Sequence, residues 1–307
     1  MEWTSVQLRS LVELRRRGTI SAVAEALGYS PGGVSQQLTT LERAAGTTLT
    51  RRVGRRVELT EAGLTLAGHA ERILDIEAEA ATALERSDRA AAGELRVAMF
   101  ATAAADILPL MLAQLSQHHP RLSVRSHEID VDDVYDAVAS GTVGLAVGLD
   151  YPDVPIRRDP SLRLVRLYRE KFSLAVPAGS LPDTRLISLP ETASLDWILP
   201  PESSYYGQAI RTVCRRAGFE PRVRHEVTDT AASLALVEAG IGVSPTTDLM
   251  LRLRPSRFDV LALAEPFERH IVAIVRSAVQ DRPSVAAVVN VLRGLAEQPD
   301  LGPVSVL

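Results

Sequence analysis

Between Ser30 and Thr40 the chain reads SPGGVSQQLTT, and its small polar residues fall where one face of a helix collects them. Ser30 is a good N-cap, and Pro31 takes the first helical position, where a missing N–H costs nothing. Val34, Leu38 and Leu41 recur at steps of four and three and turn inward. Pro31, Gly32, Ser35, Gln36, Thr39 and Thr40 are left outward, a shallow uncharged surface suited to base edges and thymine methyls in a DNA major groove. A second capable group follows at Arg51, Arg52, Arg55 and Arg56, whose guanidinium groups suit phosphates or a narrow minor groove. A helical hairpin that only packs a core would also explain the first group, and a solvated charged hairpin the second.

Residues for covalent or metal chemistry are sparse. His118 and His119 precede Pro120 in a helix-to-strand turn, and His69, His127, His225 and His270 lack metal-ligand spacing. No Gly-x-Ser-x-Gly, P-loop or dinucleotide fingerprint is present. The one cysteine, Cys214, excludes an internal disulfide and a cysteine-based zinc site, and it reads as core packing. The expectation is therefore no catalytic residue, no metal and no cofactor. Asp130, Asp132 and Asp133 form an acidic cluster that reads as a solvated helix N-terminus. Should it face a ligand, it would repel a polyanion and favour an amine or a zwitterion.

These groups need elements to hold them. Ala22, Val23, Ala26 and Leu27 predict a short helix ending at Gly28, just before the helix that Ser30 caps. Thr4 followed by Gln7 resembles a capping box for a first helix over Val6, Leu8, Leu11, Val12 and Leu14. Residues 48–53 and 56–59 around Gly54-Arg55 predict a two-stranded ribbon, which beside a helix-turn-helix is a wing. From Thr60 to about Ala92 a long helix is expected, with Leu66, Ala70, Ile73, Glu77, Ala80 and Leu84 on a heptad seam that Glu77 weakens. It reads as linker and dimer interface; the alternative is a helix lying flat on its own body.

At 307 residues the chain has room for two or three cores, and 46% hydrophobic with 4% aromatic content describes an α/β protein rich in Ala, Val and Leu. Residues 1–60 carry nine arginines against five glutamates, or +4, which leaves −8 elsewhere in a chain of net charge −4. That asymmetry suits a basic nucleic-acid module on an acidic body. Lys171 is the only lysine. No apolar run reaches the roughly 18 residues of a membrane span, and MEWTSVQLRS is no signal peptide, so a cytoplasmic protein without membrane contact is expected.

The run GTISAVAEALGYSPGGVSQQLTTLERAAGTTLTRRVGRRVELTEAGLTLAGHAERIL resembles the N-terminal module of the LysR-type transcriptional regulators. The resemblance implies a winged helix-turn-helix head (1–60), a linker helix that dimerises (61–92) and an effector domain (93–307) like a periplasmic binding protein. On it, the head's DNA contacts are Ser30, Pro31, Gly32, Ser35, Gln36, Thr39, Arg52, Arg55 and Arg56. Three departures stand out: Thr50 where an aromatic is usual, Gln36 where an arginine is common, and Gly32-Gly33 in place of better helix formers. Each glycine costs about 1 kcal/mol of helix propensity.

From Glu94 onward strands and helices alternate. Strands are predicted at 95–100, 122–128 and 145–148, with helices at 103–117, interrupted by Pro109, and at 132–140. A second series follows: strands at 162–168, 172–176, 196–199, 222–227 and 241–244, and helices at 204–217 and 230–239. A strand at 270–275 and a helix at 283–296 close the chain. The pieces FATAAADILP, GTVGLAVG, CRRAGFEPRV and ALVEAGIGVSP resemble the same family's effector domain, which implies that the chain crosses back to its first lobe. Lobe one is expected over about 93–162 and 270–307, and lobe two over about 163–269.

Ligands of open α/β sheets bind beyond the carboxyl ends of the strands. That rule selects Ala101 and Thr102, Ile129 and Asp130, Pro201, Ser203 and Ser204, and Thr228, Asp229 and Thr230. Ser203 and Thr230 would serve equally as helix N-caps. The resulting expectation is a regulator bound to a pseudo-palindromic double-stranded operator, acting as a homodimer or homotetramer. A small-molecule effector controls it, and RNA polymerase is a partner if it activates. An enzyme regulated by its head, and a solute-binding transport component, are the competing classes; the latter conflicts with the missing signal peptide and the fused head.

Overall fold

The computed structural model describes residues 2–297 except 55, 88–90, 153, 155, 157–158, 182–184 and 254–256. The head begins with α1 (Ser5–Arg17), where Thr4 and Gln7 close a reciprocal capping box. Next come α2 (Ile20–Leu27), ended by Gly28 in the left-handed region, and α3 (Pro31–Ala45), whose N-cap Ser30 accepts the Gly33 N–H at 3.1 Å. The ribbon is β1 (Thr50–Val53) paired antiparallel with β2 (Arg56–Leu59). The linker helix α4 (Glu61–Ser87) ends before the expected Ala92, which lies in coil.

Leu8, Leu11, Leu14, Val23, Val34, Leu38 and Leu41 form the head's core, and α4 contributes Ala67 and Ala70 to it, with Leu66 and Leu74 packed alongside. The expected heptad seam is thus divided. Leu66 and Ala70 are used by the chain's own head, whereas Ile73, Ala80 and Leu84 remain exposed, and Glu77 accepts a hydrogen bond from the Ser5 hydroxyl at 3.0 Å. The rest of α4 lies along the effector domain: Glu85 accepts from Arg282 at 2.6 Å and from Ser284 at 3.1 Å, and Asp75 meets Arg276 at 3.6 Å. The head itself touches that domain where Arg16 meets Asp159 at 3.0 Å and the Thr142 hydroxyl donates to the Ala26 carbonyl at 3.2 Å.

Lobe one is a five-stranded sheet in the order β4 (Leu122–Glu128), β3 (Gly93–Met99), β5 (Leu145–Asp150), β13 (Glu268–Arg276), β6 (Leu162–Lys171). The first three strands are parallel and β13 runs antiparallel to both its neighbours. Packed on the sheet are α5 (Ala101–His118), α6 (Val134–Ala139) and α10 (Pro283–Ala296). Pro109 does not interrupt α5: it and Ala105, the residue whose carbonyl it leaves without a helical donor, are both exposed to water.

Lobe two holds the sheet β11 (Ser244–Thr246), β7 (Ser173–Pro177), β12 (Phe258–Leu263), β8 (Leu186–Ile187). A parallel pair, β9 (Asp196–Leu199) with β10 (Arg222–Glu226), joins it through a bridge between Trp197 and Val243. Three helices complete the lobe: α7 (Tyr205–Arg216), α8 (Thr230–Glu238) and the short α9 (Asp248–Leu251). The chain does cross back, but the expected boundary of lobe two at 163–269 moves. β6 pairs with β13 along its whole length, so 163–171 and 268–269 belong to lobe one. β8, β12 and α9 were not predicted, and the strand expected at 241–244 is displaced to Ser244–Thr246.

Two glycines with opposite surroundings test this packing. A Cβ on Gly63 would lie 2.1 Å from the Leu49 carbonyl oxygen, which also accepts the Thr60 N–H at 2.9 Å, whereas a Cβ on Gly32 meets nothing within 4 Å. Gly63→Ala should therefore destabilise the head by about 1–3 kcal/mol through overpacking. Gly32→Ala should stabilise it by about 0.5–1 kcal/mol. Urea unfolding followed by circular dichroism checks both; equal midpoints for the two variants would contradict the packing described.

Candidate nucleic-acid interface and ligand cleft

On α3 the inward residues Val34, Leu38 and Leu41 are buried, and Pro31, Gly32, Ser35, Gln36, Thr39 and Thr40 are all exposed. Thr39 and Thr40 donate their hydroxyls to the carbonyls of Ser35 and Gln36, each at 2.9 Å. Their methyl groups and oxygen lone pairs are what remains for a partner. Gln37 turns away and accepts from the buried Ser10 hydroxyl. Tyr29, 45% exposed at the turn before the Ser30 cap, adds an aromatic edge that patterning alone missed. In the ribbon, Arg51 pairs with Glu58 at 3.1 Å across the strands, and Arg52 is exposed. Arg56 begins β2 opposite Val53, while Arg55 lies outside the described residues.

Between the lobes lies a cavity of about 500 Å³. Every residue selected by the strand-end rule lines it. Ala101 and Thr102 form the first turn of α5; Ile129 and Asp130 follow β4. Pro201, Ser203 and Ser204 precede α7, and Thr228, Asp229 and Thr230 lead into α8. Ser204 and Asp229 are also N-caps, accepting the N–H groups of Gly207 at 3.0 Å and Ala232 at 2.7 Å. Ser203 is not a cap, and Thr230 is the first helical residue rather than the cap.

The floor of this cavity was not foreseen. Arg269, at the start of β13, is 1% exposed and pairs with Glu170 near the end of β6 at 2.7 Å. It donates to the Thr247 hydroxyl at 3.0 Å and lies over the rings of Phe100 and Phe172. Burial opposes its charge, but Glu170 together with the Tyr151 and Tyr206 hydroxyls outweighs that and holds Arg269 above its ordinary range. Glu170 in turn accepts the Leu249 N–H at 3.0 Å. Tyr151 stacks against Tyr206 with ring centroids 6.2 Å apart. Burial pushes the Tyr151 hydroxyl up to about 12, against the pull of Arg269, so it stays a protonated donor at neutral pH. Only an arginine just ahead of the apolar run IVAIV in ERHIVAIVR hinted at this arrangement.

Asp132 spans the cleft. From lobe one it accepts the Tyr205 N–H, the first of α7, at 3.2 Å. Asp130 accepts the Asp132 N–H at 3.0 Å and keeps the loop folded. Arg252 and Asp106, 3.1 Å apart, make a second link between the lobes. Among the described residues no three His, Cys, Asp or Glu side chains group as metal ligands, and no helix is long and apolar enough to cross a membrane.

Known proteins share these parts. A family model described as LysR substrate binding domain matches residues 88–297, and one described as bacterial regulatory helix-turn-helix protein, lysR family, matches residues 6–64. The HTH-type transcriptional regulator ClcR of Pseudomonas putida is 30% identical over 254 residues, covering 80% of this chain and 83% of that protein. The crystal structure of full-length CbnR complexed with its target DNA is 27% identical, with a TM-score of 0.55 over 97% of this chain and 100% of that one. A full-length OxyR variant from Pseudomonas aeruginosa, 19% identical, shares the fold with a TM-score of 0.66 over 95% of each chain.

Burial, followed by the charges of Asp130 and Asp133, holds the Asp132 carboxyl above its usual range despite the Tyr205 N–H. A folded-state pKa above the unfolded one means that the stability linked to this group is fully present below the unfolded pKa. It is lost as pH rises through the folded value. Asp132→Asn keeps an oxygen for the Tyr205 N–H and removes the charge. The variant should melt at a higher temperature than the parent at pH 7, with the gap closing below about pH 4. Thermal melts across that range check it, and a lower melting temperature at pH 7 contradicts it.

Proposed function

The chain belongs to the LysR family of bacterial helix-turn-helix transcriptional regulators, and on that premise we propose how its residues divide the work. The head, about residues 1–60, places Pro31, Gly32, Ser35, Gln36 and Thr39 of α3 in a major groove, with Ser30 at the phosphate edge. Arg52, Arg55 and Arg56 of the ribbon neutralise phosphates or enter the flanking minor groove. The observation that carries this reading is the α3 face: capped, exposed, uncharged and set beside an arginine ribbon. Its residues from Pro31 to Thr40 are uncharged and Arg43 in the last turn is the only cation of α3, so affinity depends on the ribbon and on pairing of two heads.

The linker α4 supplies that pairing. Ile73, Ile76 and Leu84 are exposed apolar side chains on it, and a second copy covering them would set two heads on the half-sites of a pseudo-palindrome. The domain from about 93 onward takes a small-molecule effector in the cleft lined by Thr102, Asp130, Ser203 and Thr228. Occupancy acts on DNA only if the effector prefers one assembly state over another. The ion pairs between α4, the head and the effector domain are the contacts through which that preference passes. The cell compartment is the cytoplasm, where the operator lies, and RNA polymerase is the further partner if the regulator activates.

Footprinting of the DNA upstream of the chain's own gene, with and without candidate effectors, tests the whole reading. Arg52→Ala should weaken binding to every sequence and reduce the slope of log affinity against log salt by about 1. Gln36→Ala should instead change the preference among sequences, by about 1–3 kcal/mol at one position. Operator binding unchanged by both substitutions sinks the assignment of this face.

A further inference from the structure

We propose, resting on the effector-cleft reading above, that the cleft takes a small zwitterion of the α-amino-acid class with an apolar or aromatic side chain. Its carboxylate lies on the first turn of α5 and accepts from the Tyr151 hydroxyl, its ammonium lies against the carboxylates of Asp130 and Asp132, and its side chain against the rings of Tyr151 and Tyr206.

Three helix N-termini face the cavity, and two already hold a carboxylate of the chain. Asp132 accepts the Tyr205 N–H at the start of α7, and Asp229 accepts the Ala232 N–H at the start of α8. Only α5 is open: Phe100 stands at its N-cap, and no side chain caps it. The first-turn N–H groups there, beside the buried Thr102, suit one carboxylate.

The rest of the lining has the opposite preference. Its one described cation, Arg269, is committed to Glu170, while Glu128, Asp130, Asp132 and Asp229 stand around the cavity. Asp130 and Asp132 each use one carboxylate oxygen on a backbone N–H, and among the described residues the other oxygen of each has no hydrogen bond. Burial and mutual repulsion already disfavour the charged form of Asp132, so a cation placed there relieves a cost.

An independent observation points the same way. Tyr151 is 1% exposed and lines the cavity; Arg269 lies beside its hydroxyl but can only donate, and no acceptor of proper geometry meets that O–H among the described residues. A buried donor without an acceptor is costly unless a ligand supplies one. A dicarboxylate would satisfy Tyr151 and α5 but set its second charge among the aspartates. A simple amine would satisfy the aspartates but leave α5 and Tyr151 unmet. A zwitterion satisfies all of them, in a volume within the ordinary range for small ligands.

The test uses the full chain in calorimetric titrations with the common α-amino acids. Each apolar or aromatic one is run beside its decarboxylated amine and its deaminated acid, as in L-phenylalanine, 2-phenylethylamine and 3-phenylpropionate, with succinate as the dicarboxylate. At least one amino acid should bind about tenfold or more tighter than both of its analogues. Asp130→Asn should weaken that amino acid by about tenfold and shift preference toward the deaminated acid. Tighter binding of succinate or of a deaminated acid than of any amino acid overturns the proposal, as does binding of no amino acid at all. The same preparations are tested for salt-dependent binding to the upstream DNA. DNA binding without amino-acid binding overturns the ligand class and leaves the regulator reading standing; loss of specific DNA binding overturns that reading itself.

Discussion

The ion pair between Arg269 and Glu170 ties the two strands that cross between the lobes to each other and to lobe two. The two residues sit on β13 and β6, the antiparallel strands through which the chain leaves lobe one and returns to it. Their spare bonds reach across to lobe two, Arg269 to the Thr247 hydroxyl and Glu170 to the Leu249 N–H. A buried pair of this kind is costly to desolvate, and removing one partner costs about 3–5 kcal/mol because the other is left charged and alone. Its bonds reach past the two crossing strands into a loop and a helix. The cleft floor and the link between β13, β6 and lobe two are therefore held by the same four groups.

The head obeys a different rule. Its core is small, and α4 completes it by lending Ala67 and Ala70, so the helix that joins the two parts of the protein is also part of one of them. Glu13, fully buried, holds Arg17 at 2.8 Å and Arg16 at 3.4 Å, and Arg16 continues to Asp159. Burial alone would raise Asp159, but bonds from the Ser161 hydroxyl and N–H, with Arg16, hold it below its usual range. This carboxylate stays ionised through the physiological range and keeps the head seated on the effector domain.

Local signals carried most of the architecture. Caps at Thr4 and Ser30, inward positions at Val34, Leu38 and Leu41, and the βα alternation after Glu94 depend on neighbours a few residues away, and all of them appear in the folded chain. Residues at strand ends lie around the cavity because sheet topology alone puts them there. What stayed hidden was non-local. Nothing near Leu162–Lys171 tells it to pair with a strand a hundred residues later, so it was placed in the wrong lobe. Tyr151 and Arg269 are ordinary residues until β5 and β13 bring them together. The heptad seam is divided for a related reason: its early positions serve an intramolecular core, which a period of seven cannot distinguish from a partner helix.

The linker helix finally sets a scale. Its 27 residues make a rod about 40 Å long. Its far end is pinned to the effector domain by Glu85, and its near end is embedded in the head. As a lever of that length, a tilt of only about 5° carries the head roughly 3.5 Å, close to one base-pair step of about 3.4 Å. A change that frees Arg16 from Asp159 and Thr142 from Ala26, without altering any strand pairing, would thus be enough to move the α3 face from one base pair to the next.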